Sequence, residues 1–271
     1  MAKRRGKRRV RPIFKVIGIL ILGCMICFGI IVILNLLVDD RQGEIEVIEQ
    51  DETIVEEVFE PYIIAIDCGH GGIDVGVTGL VVELEVNQVT TAYLYELLDA
   101  DPMYEPILVN ENNEFMSTEE RRDFAIENEV DFLISIHCNY SESSNATYGF
   151  EIYPQNTDHP YYDVSYSIAQ SIAEKYIEEG HSPRIDTGLF YAHYVEYEPG
   201  EFQLYVFSES DEAITNITGD SFGVLIGETY PAILVEQGYV YNESDVETWL
   251  SDEGCQKSAQ IFYEAIQEAF N

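Results

Sequence analysis

Apolar residues in this chain come in short runs that stop abruptly, and these runs alternate with longer stretches of helical period. Residues 62–67 (Tyr-Ile-Ile-Ala-Ile-Asp), 132–137 (Phe-Leu-Ile-Ser-Ile-His) and 232–236 (Ala-Ile-Leu-Val-Glu) are nearly continuous in Ile, Leu, Val, Phe and Ala. Runs that short and that apolar predict strands buried on both faces of a sheet. Weaker β-rich runs predict further strands over 106–109 and 149–153. Between them, apolar residues at three- and four-residue intervals predict helices over 83–100, 118–128, 163–179 and 258–270. Ser117 with Glu120 three residues on has the form of a capping box, and Gly180 ends the third helix. The alternation predicts one three-layer α/β/α domain on a mostly parallel central sheet.

Upstream the pattern changes. Residues 16–38 are apolar apart from small residues and Asn35. At about 1.5 Å per residue, such a helix crosses a hydrocarbon core of about 30 Å. Lys3, Arg4, Arg5, Lys7, Arg8, Arg9, Arg11 and Lys15 precede it, and Asp39-Asp40 follow it where a cleaved signal would carry small residues. The pattern predicts an uncleaved transmembrane signal anchor with a basic cytoplasmic tail over 1–15. Residues 39–60 read as an acidic stalk and 61–271 as one folded domain. The expected location is the cytoplasmic membrane, single-pass, with the N-terminus inside and the folded domain outside.

Charge sharpens that division. The chain carries 14 Lys+Arg against 50 Asp+Glu, a net charge of -36. Beyond Arg41 the cations are Arg121, Arg122, Lys175, Arg184 and Lys257, so the outer part lacks the basic cluster that nucleic acid binding needs. Cys24 and Cys27 fall in the apolar span, and Cys68, Cys138 and Cys255 are too few and odd in number for a disulfide framework.

Two of the apolar runs lead to histidines, His70 after Asp67-Cys68-Gly69 and His137 directly. Ligands bind at the carboxyl edge of open α/β sheets, so both imidazoles are expected there. Glu83 starts the first long helix and Glu236 closes a later strand. Two imidazoles and a carboxylate are a zinc ligand set that leaves one position open. A further carboxylate at Glu236 suits a general base. Gly69, Gly71 and Gly72 let the backbone turn sharply beside His70. Taken singly, each residue also has a plain structural reading. A histidine at a strand end is more often structural, and a Glu at a helix start is a favourable charge near the dipole. Glu236 after four apolar residues is harder to place that way, because a buried carboxylate is costly without a partner.

The surrounding blocks carry a resemblance. Asp67-Cys68-Gly69-His70-Gly71-Gly72 is followed by Asp74 and Gly76, and then by Glu83-Leu84-Glu85-Val86-Asn87. Glu120-Arg121 and Ala125 precede Ser135-Ile136-His137-Cys138-Asn139, and Pro231-Ala232-Ile233-Leu234-Val235-Glu236-Gln237-Gly238-Tyr239 leads to Asn242. In this order residues 62–270 resemble the zinc-dependent N-acetylmuramoyl-L-alanine amidases of the amidase type 3 (AmiC/CwlD-like) family. The resemblance implies Zn²⁺ held by His70, Glu83 and His137, with Glu236 as catalytic base. It implies cleavage of the amide between N-acetylmuramic acid and L-alanine in cell-wall peptidoglycan, with Asn87, Arg121 and Asn139 as substrate-binding residues. The implied partners are peptidoglycan and, through residues 16–38, the membrane; no regulator or targeting protein is identified. Glu85 is a rival to Glu83, but Glu83 keeps the spacing to Asn87.

The departures from the family pattern are local. Cys68 and Cys138 replace a proline and an alanine, and are expected as buried small hydrophobes, a mutual disulfide being the alternative. Arginines of the family are missing near Asn110 and Ile226. Residues 184–221 are longer than the family's equivalent and rich in Tyr, Phe and Glu. Two readings stay open for them: a hairpin that packs on the domain, or aromatic side chains that stack on sugar or cover the site. His181 and His193 are expected at the surface. The alternative function is a catalytically silent peptidoglycan-binding or partner-docking module on the same fold, which zinc content would separate from an enzyme.

Overall fold

The computed structural model describes residues 60–141, 144–211 and 221–270. The predicted basic tail, the membrane span over 16–38 and the stalk up to residue 59 lie outside the described residues. Among the described residues no helix is long and apolar enough to cross a membrane.

In chain order the elements are β1 (Tyr62–Cys68), α1 (Glu83–Asp99), β2 (Tyr104–Leu108), α2 (Thr118–Glu127), β3 (Phe132–Asn139), β4 (Glu151–Pro154), α3 (Tyr162–Glu178), β5 (Phe190–Glu198), β6 (Glu201–Ser208), β7 (Ala232–Tyr239), α4 (Glu243–Thr248) and α5 (Asp252–Phe270). Five strands form the central sheet in the order β2-β1-β3-β7-β4. β1, β2, β3 and β7 pair in parallel, and β4 runs antiparallel to β7 at the edge. β5 and β6 form a separate antiparallel hairpin.

Alternation along the strands divides the core in two. Ile64, Ile66, Phe132, Ile134, Ile136, Ile233 and Val235 pack on one face with Leu94 of α1, Ile172 of α3 and Phe262 of α5. Ala65, Leu133, Ala232 and Leu234 pack on the other face with Ala125 of α2, Phe190 and Ala192 of β5, and Val224 of a 3-10 turn (Gly223–Leu225). Side chains point to opposite faces with period 2, so buried strands read as unbroken apolar runs and serve both cores at once.

Most elements fall where the pattern predicts, and the capping box of Ser117 and Glu120 is present in both directions. The ends differ where tertiary pairing decides them. β3 and β7 continue to Asn139 and Tyr239 because these residues pair with each other across a bulge after His137 and Glu236. α5 begins at Asp252 rather than near 258, with the Ser251 hydroxyl accepting from the Gly254 amide as a cap.

Candidate active site

Strand parity gathers the chemistry on one face. Asp67, Ser135, His137 and Glu236 follow Ala65, Leu133 and Leu234 at even spacing, so they point toward α2 and the β5–β6 hairpin. Register then sets them side by side: Asp67 opposite Ser135, and His137 opposite Glu236. Because β2 and β3 flank β1 on opposite sides, the order of the sheet reverses at β1, and the crevice opens at the carboxyl ends beyond it.

The loop from Gly69 to Val82 brings in the remaining groups. His70 has φ 70°, a left-handed conformation uncommon outside glycine, which turns the chain back over the strand end. A Cβ on Gly69 would lie 2.4–2.6 Å from the His137 ring, so that ring rests directly on the glycine. The loop returns to Glu83, the first residue of α1, where the helix dipole favours a carboxylate. Glu83 Oε1 lies 2.9 Å from His70 Nε2 and 3.0 Å from His137 Nδ1.

One potential ligand atom from each of His70, Glu83 and His137 lies within 4.8 Å of the other two. Glu83 is buried, whereas the rival Glu85 is exposed. Backbone amides hold both Glu83 oxygens, Cys138 N–H on Oε1 and Val77 N–H on Oε2. Asp74 Oδ2 sits 2.9 Å from His70 Nδ1, an arrangement that fixes a metal-binding imidazole with Nε2 free to donate its lone pair. Burial alone would lower the His70 pKa, but the hydrogen bonds and charges of Glu83 and Asp74 raise it to about 9. Burial would raise Glu83, and its bonds to His137 and His70 override this and pull it well below the carboxylate range. The trio therefore demands a positive charge at its centre, which a proton or a divalent cation can supply. Two imidazoles and one carboxylate match a zinc site that keeps an open position.

Glu236 is half-buried, and its Oε2 is buried with no hydrogen-bond partner among the described residues. Burial, then the charges of Glu83 and Glu151, raise its pKa well above the ordinary value. Glu151 was not singled out in the sequence. It faces Glu236 across β4 and β7 and accepts from Arg184 Nε at 2.7 Å, Asn139 Nδ2 at 2.7 Å, and the hydroxyls of Tyr153 and Tyr239 at 2.5 Å. The signal available was a charged residue inside the weak β run before Ile152 and Tyr153.

The three expected substrate contacts are placed differently. Asn87 is fully buried, donating to Gly69 O and accepting from the Cys138 thiol, so it braces the loop under the site. Arg121 borders the cleft, yet its guanidinium donates to Asp67 Oδ1, Cys68 O, His70 O and Met116 O. It is a clamp on the His70 loop rather than an open anion site. Asn110 joins it by donating to His70 O at 3.5 Å. Asn139 lines the cleft, with its amide nitrogen on Glu151.

Cys68, Cys138 and Cys255 are all free thiols, so the disulfide between Cys68 and Cys138 is absent. Cys138 is buried as expected, while Cys68 is only half-buried. Burial raises Cys68 to about 12 and lifts Cys138 well above the ordinary thiol value, which keeps both as thiols rather than metal-seeking thiolates. His181 corrects the surface expectation: it is 3% exposed, stacked on Trp249 at 4.2 Å, with its Nε2 on Gln237 O. His193 is half-buried, with Nδ1 inaccessible.

A cleft of about 660 Å³ holds His70, Glu83, His137 and Glu236 together with Tyr194 and Phe202 of the hairpin. Residues 64–268 match the model of the family Amidase_3, N-acetylmuramoyl-L-alanine amidase. The chain belongs to that family. Among curated relatives that bear the amidase name, one from Buchnera aphidicola subsp. Acyrthosiphon pisum is 37% identical over 86 residues, covering 31% of this chain and 36% of the relative. Another, from Buchnera aphidicola subsp. Schizaphis graminum, is 24% identical over 76% of this chain and 95% of its own length. The chain therefore spans about a third of the first relative's length and nearly all of the second's. The catalytic domain of CwlV, an amidase from Bacillus (Paenibacillus) polymyxa var. colistinus, shares the fold with a TM-score of 0.58 at 24% identity, over 76% of this chain and 97% of that one. The amidase thus carries the family's His-Glu-His metal site at His70, Glu83 and His137.

Proposed function

We propose that this amidase is a zinc hydrolase that cuts the bond between N-acetylmuramic acid and L-alanine in peptidoglycan, with Glu236 as its proton carrier. The observation that carries the reading is the convergence of His70, Glu83 and His137 within 4.8 Å, with Glu236 register-paired to His137. When bound, Zn²⁺ supplies Lewis-acid polarisation of the amide carbonyl and lowers the pKa of water.

The chain's own groups do the rest. Asp74 and the amides of Val77 and Cys138 orient His70 and Glu83. Glu236 Oε2, without a partner of its own, takes a proton from the attacking water and passes it to the amide nitrogen. The carbon–nitrogen bond then breaks, leaving a carboxylate on the muramic acid lactyl group and a free amine on L-alanine. Burial, then the charges of Glu83 and Glu151, raise the proton affinity of Glu236, which suits it to carry a proton from water to the amine.

Residues 16–38 anchor the chain in the cytoplasmic membrane with 1–15 inside, and 61–271 face the wall beyond a stalk over 39–60. The span length and the basic flank support this.

Full-length protein in detergent, incubated with purified peptidoglycan, is expected to release stem peptides with a free L-alanine amine, read by mass spectrometry. Chelator should stop the release and zinc restore it. Fragments still joined to glycan would instead mean cleavage within the stem peptide. Loss of membrane sedimentation on deleting residues 16–38 tests the anchor.

A further inference from the structure

The β5–β6 hairpin is built on the face that carries the chemistry. Phe190 and Ala192 of β5 are buried in the core beside α2, and Leu204 of β6 packs against that core. Tyr194 and Phe202 continue the same face outward. Tyr194 pairs with Leu204, and Phe202 with Glu196, so the two rings are diagonal neighbours on one side of the ribbon. The base of that side is core, and Tyr194 and Phe202 on its outer part are among the residues lining the cleft with His70, His137 and Glu236. They remain 36% and 58% exposed. Two large rings held open to solvent beside a reaction centre have no packing role to account for them, and exposed apolar patches of this kind mark binding surfaces.

The occupant follows from chemistry. Tyr194 and Phe202 line the same cleft as the His70–Glu83–His137 centre, so a substrate that fills the cleft meets them. The hairpin ends in Glu196, Glu198 and Glu201, and Asp74 stands in the cleft, while the one arginine there, Arg121, has its donors on Asp67 and backbone carbonyls. A stem peptide ending in a carboxylate is repelled by such a rim. An uncharged sugar ring is not, and its C–H face packs flat on an aromatic face.

We infer that Tyr194 and Phe202 form a saccharide-stacking wall that holds the glycan side of the substrate while the amide lies at the metal centre. This rests on the amidase reading for the identity of the substrate, but binding can be measured without turnover. The probe is a neutral N-acetylglucosamine oligosaccharide, a glycan that carries no lactyl carboxylate, titrated calorimetrically into full-length Glu236→Gln protein in detergent. Tyr194→Leu with Phe202→Leu keeps apolar volume at both positions and removes the rings. Glycan affinity is expected to fall about tenfold in the double variant, with zinc content and circular dichroism unchanged. Tyr194→Phe alone should retain it. In the background with Glu236 intact, KM for polymeric peptidoglycan should rise with kcat held, as for lost uniform binding. Unchanged glycan affinity in the leucine variant overturns the inference, as does a loss of affinity for free stem peptide in its place. Failure of amide cleavage in the wild type would instead count against the amidase reading and leave the glycan titration intact.

Discussion

Glu151 and Glu236 stand opposite each other on antiparallel strands β4 and β7, and the hydrogen-bond donors of this neighbourhood converge on only one of them. Arg184, Asn139, Tyr153 and Tyr239 all donate to Glu151, while Glu236 Oε2 has no partner among the described residues. Strand pairing thus sets a satisfied carboxylate beside an unsatisfied one; burial, then the charge of Glu83 and that of Glu151, raise the proton affinity of Glu236.

Glu236→Gln is expected to keep full metal content and to lower turnover by about 10²–10⁴-fold, the usual contribution of a positioned acid–base group. Metal analysis alongside amine release from peptidoglycan checks it. Retained turnover would remove Glu236 from the mechanism.

Glu151→Gln should move the acidic limb of the pH–rate profile. Glu236 must be ionised to accept a proton, so activity falls as pH drops through its pKa. The Glu151 charge raises that pKa, and removing the charge lets Glu236 stay ionised to lower pH. The limb is therefore expected to shift downward in kcat measured on zinc-loaded enzyme; an upward shift contradicts the assignment.

Gly69→Ala would place a Cβ 2.4–2.6 Å from the His137 ring, and the ring must move. Loss of ligand orientation is expected to weaken zinc binding by about 10–100-fold while the fold survives. Competition with a chromophoric chelator measures this directly.

Metal removal should also lower thermal stability. Zinc at 100 times its Kd stabilises the folded state by about 2.7 kcal/mol, a gain that Glu83→Ala abolishes. Thermal unfolding with and without chelator should separate the wild type and not the variant.

His181 predicts a second pH effect, away from the site. Burial among Phe150, Tyr176 and Trp249 lowers its pKa to about 4, against about 6.5 when unfolded. Between these values the unfolded chain binds the extra proton, so the stability due to neutral His181 is complete above about pH 6.5 and lost as pH falls toward 4. Its share is roughly 3 kcal/mol. In His181→Gln the stability difference between pH 7 and pH 4.5 is expected to shrink by about that amount, as read by urea denaturation.

The sequence by itself determined the class of this molecule, because local periodicity and short-range chemistry are written in consecutive residues. Apolar runs in alternation with helical stretches named the three layers, Ser117 and Glu120 named a cap, and the blocks around His70, Glu83, His137 and Glu236 pointed to a zinc amidase site. Tertiary structure decided which side chains meet. Strand parity put Asp67, His137 and Glu236 on one face, and pairing with β4 brought Glu151 against Glu236. It turned Asn87 and Arg121 inward onto the His70 loop, buried His181 with its Nε2 on Gln237 O, and left Cys68 and Cys138 as free thiols. It also aimed one face of the hairpin, with Tyr194 and Phe202, into the cleft. These outcomes depend on register and on contacts between residues far apart in the chain, and a shift of one residue in strand pairing would reverse every face.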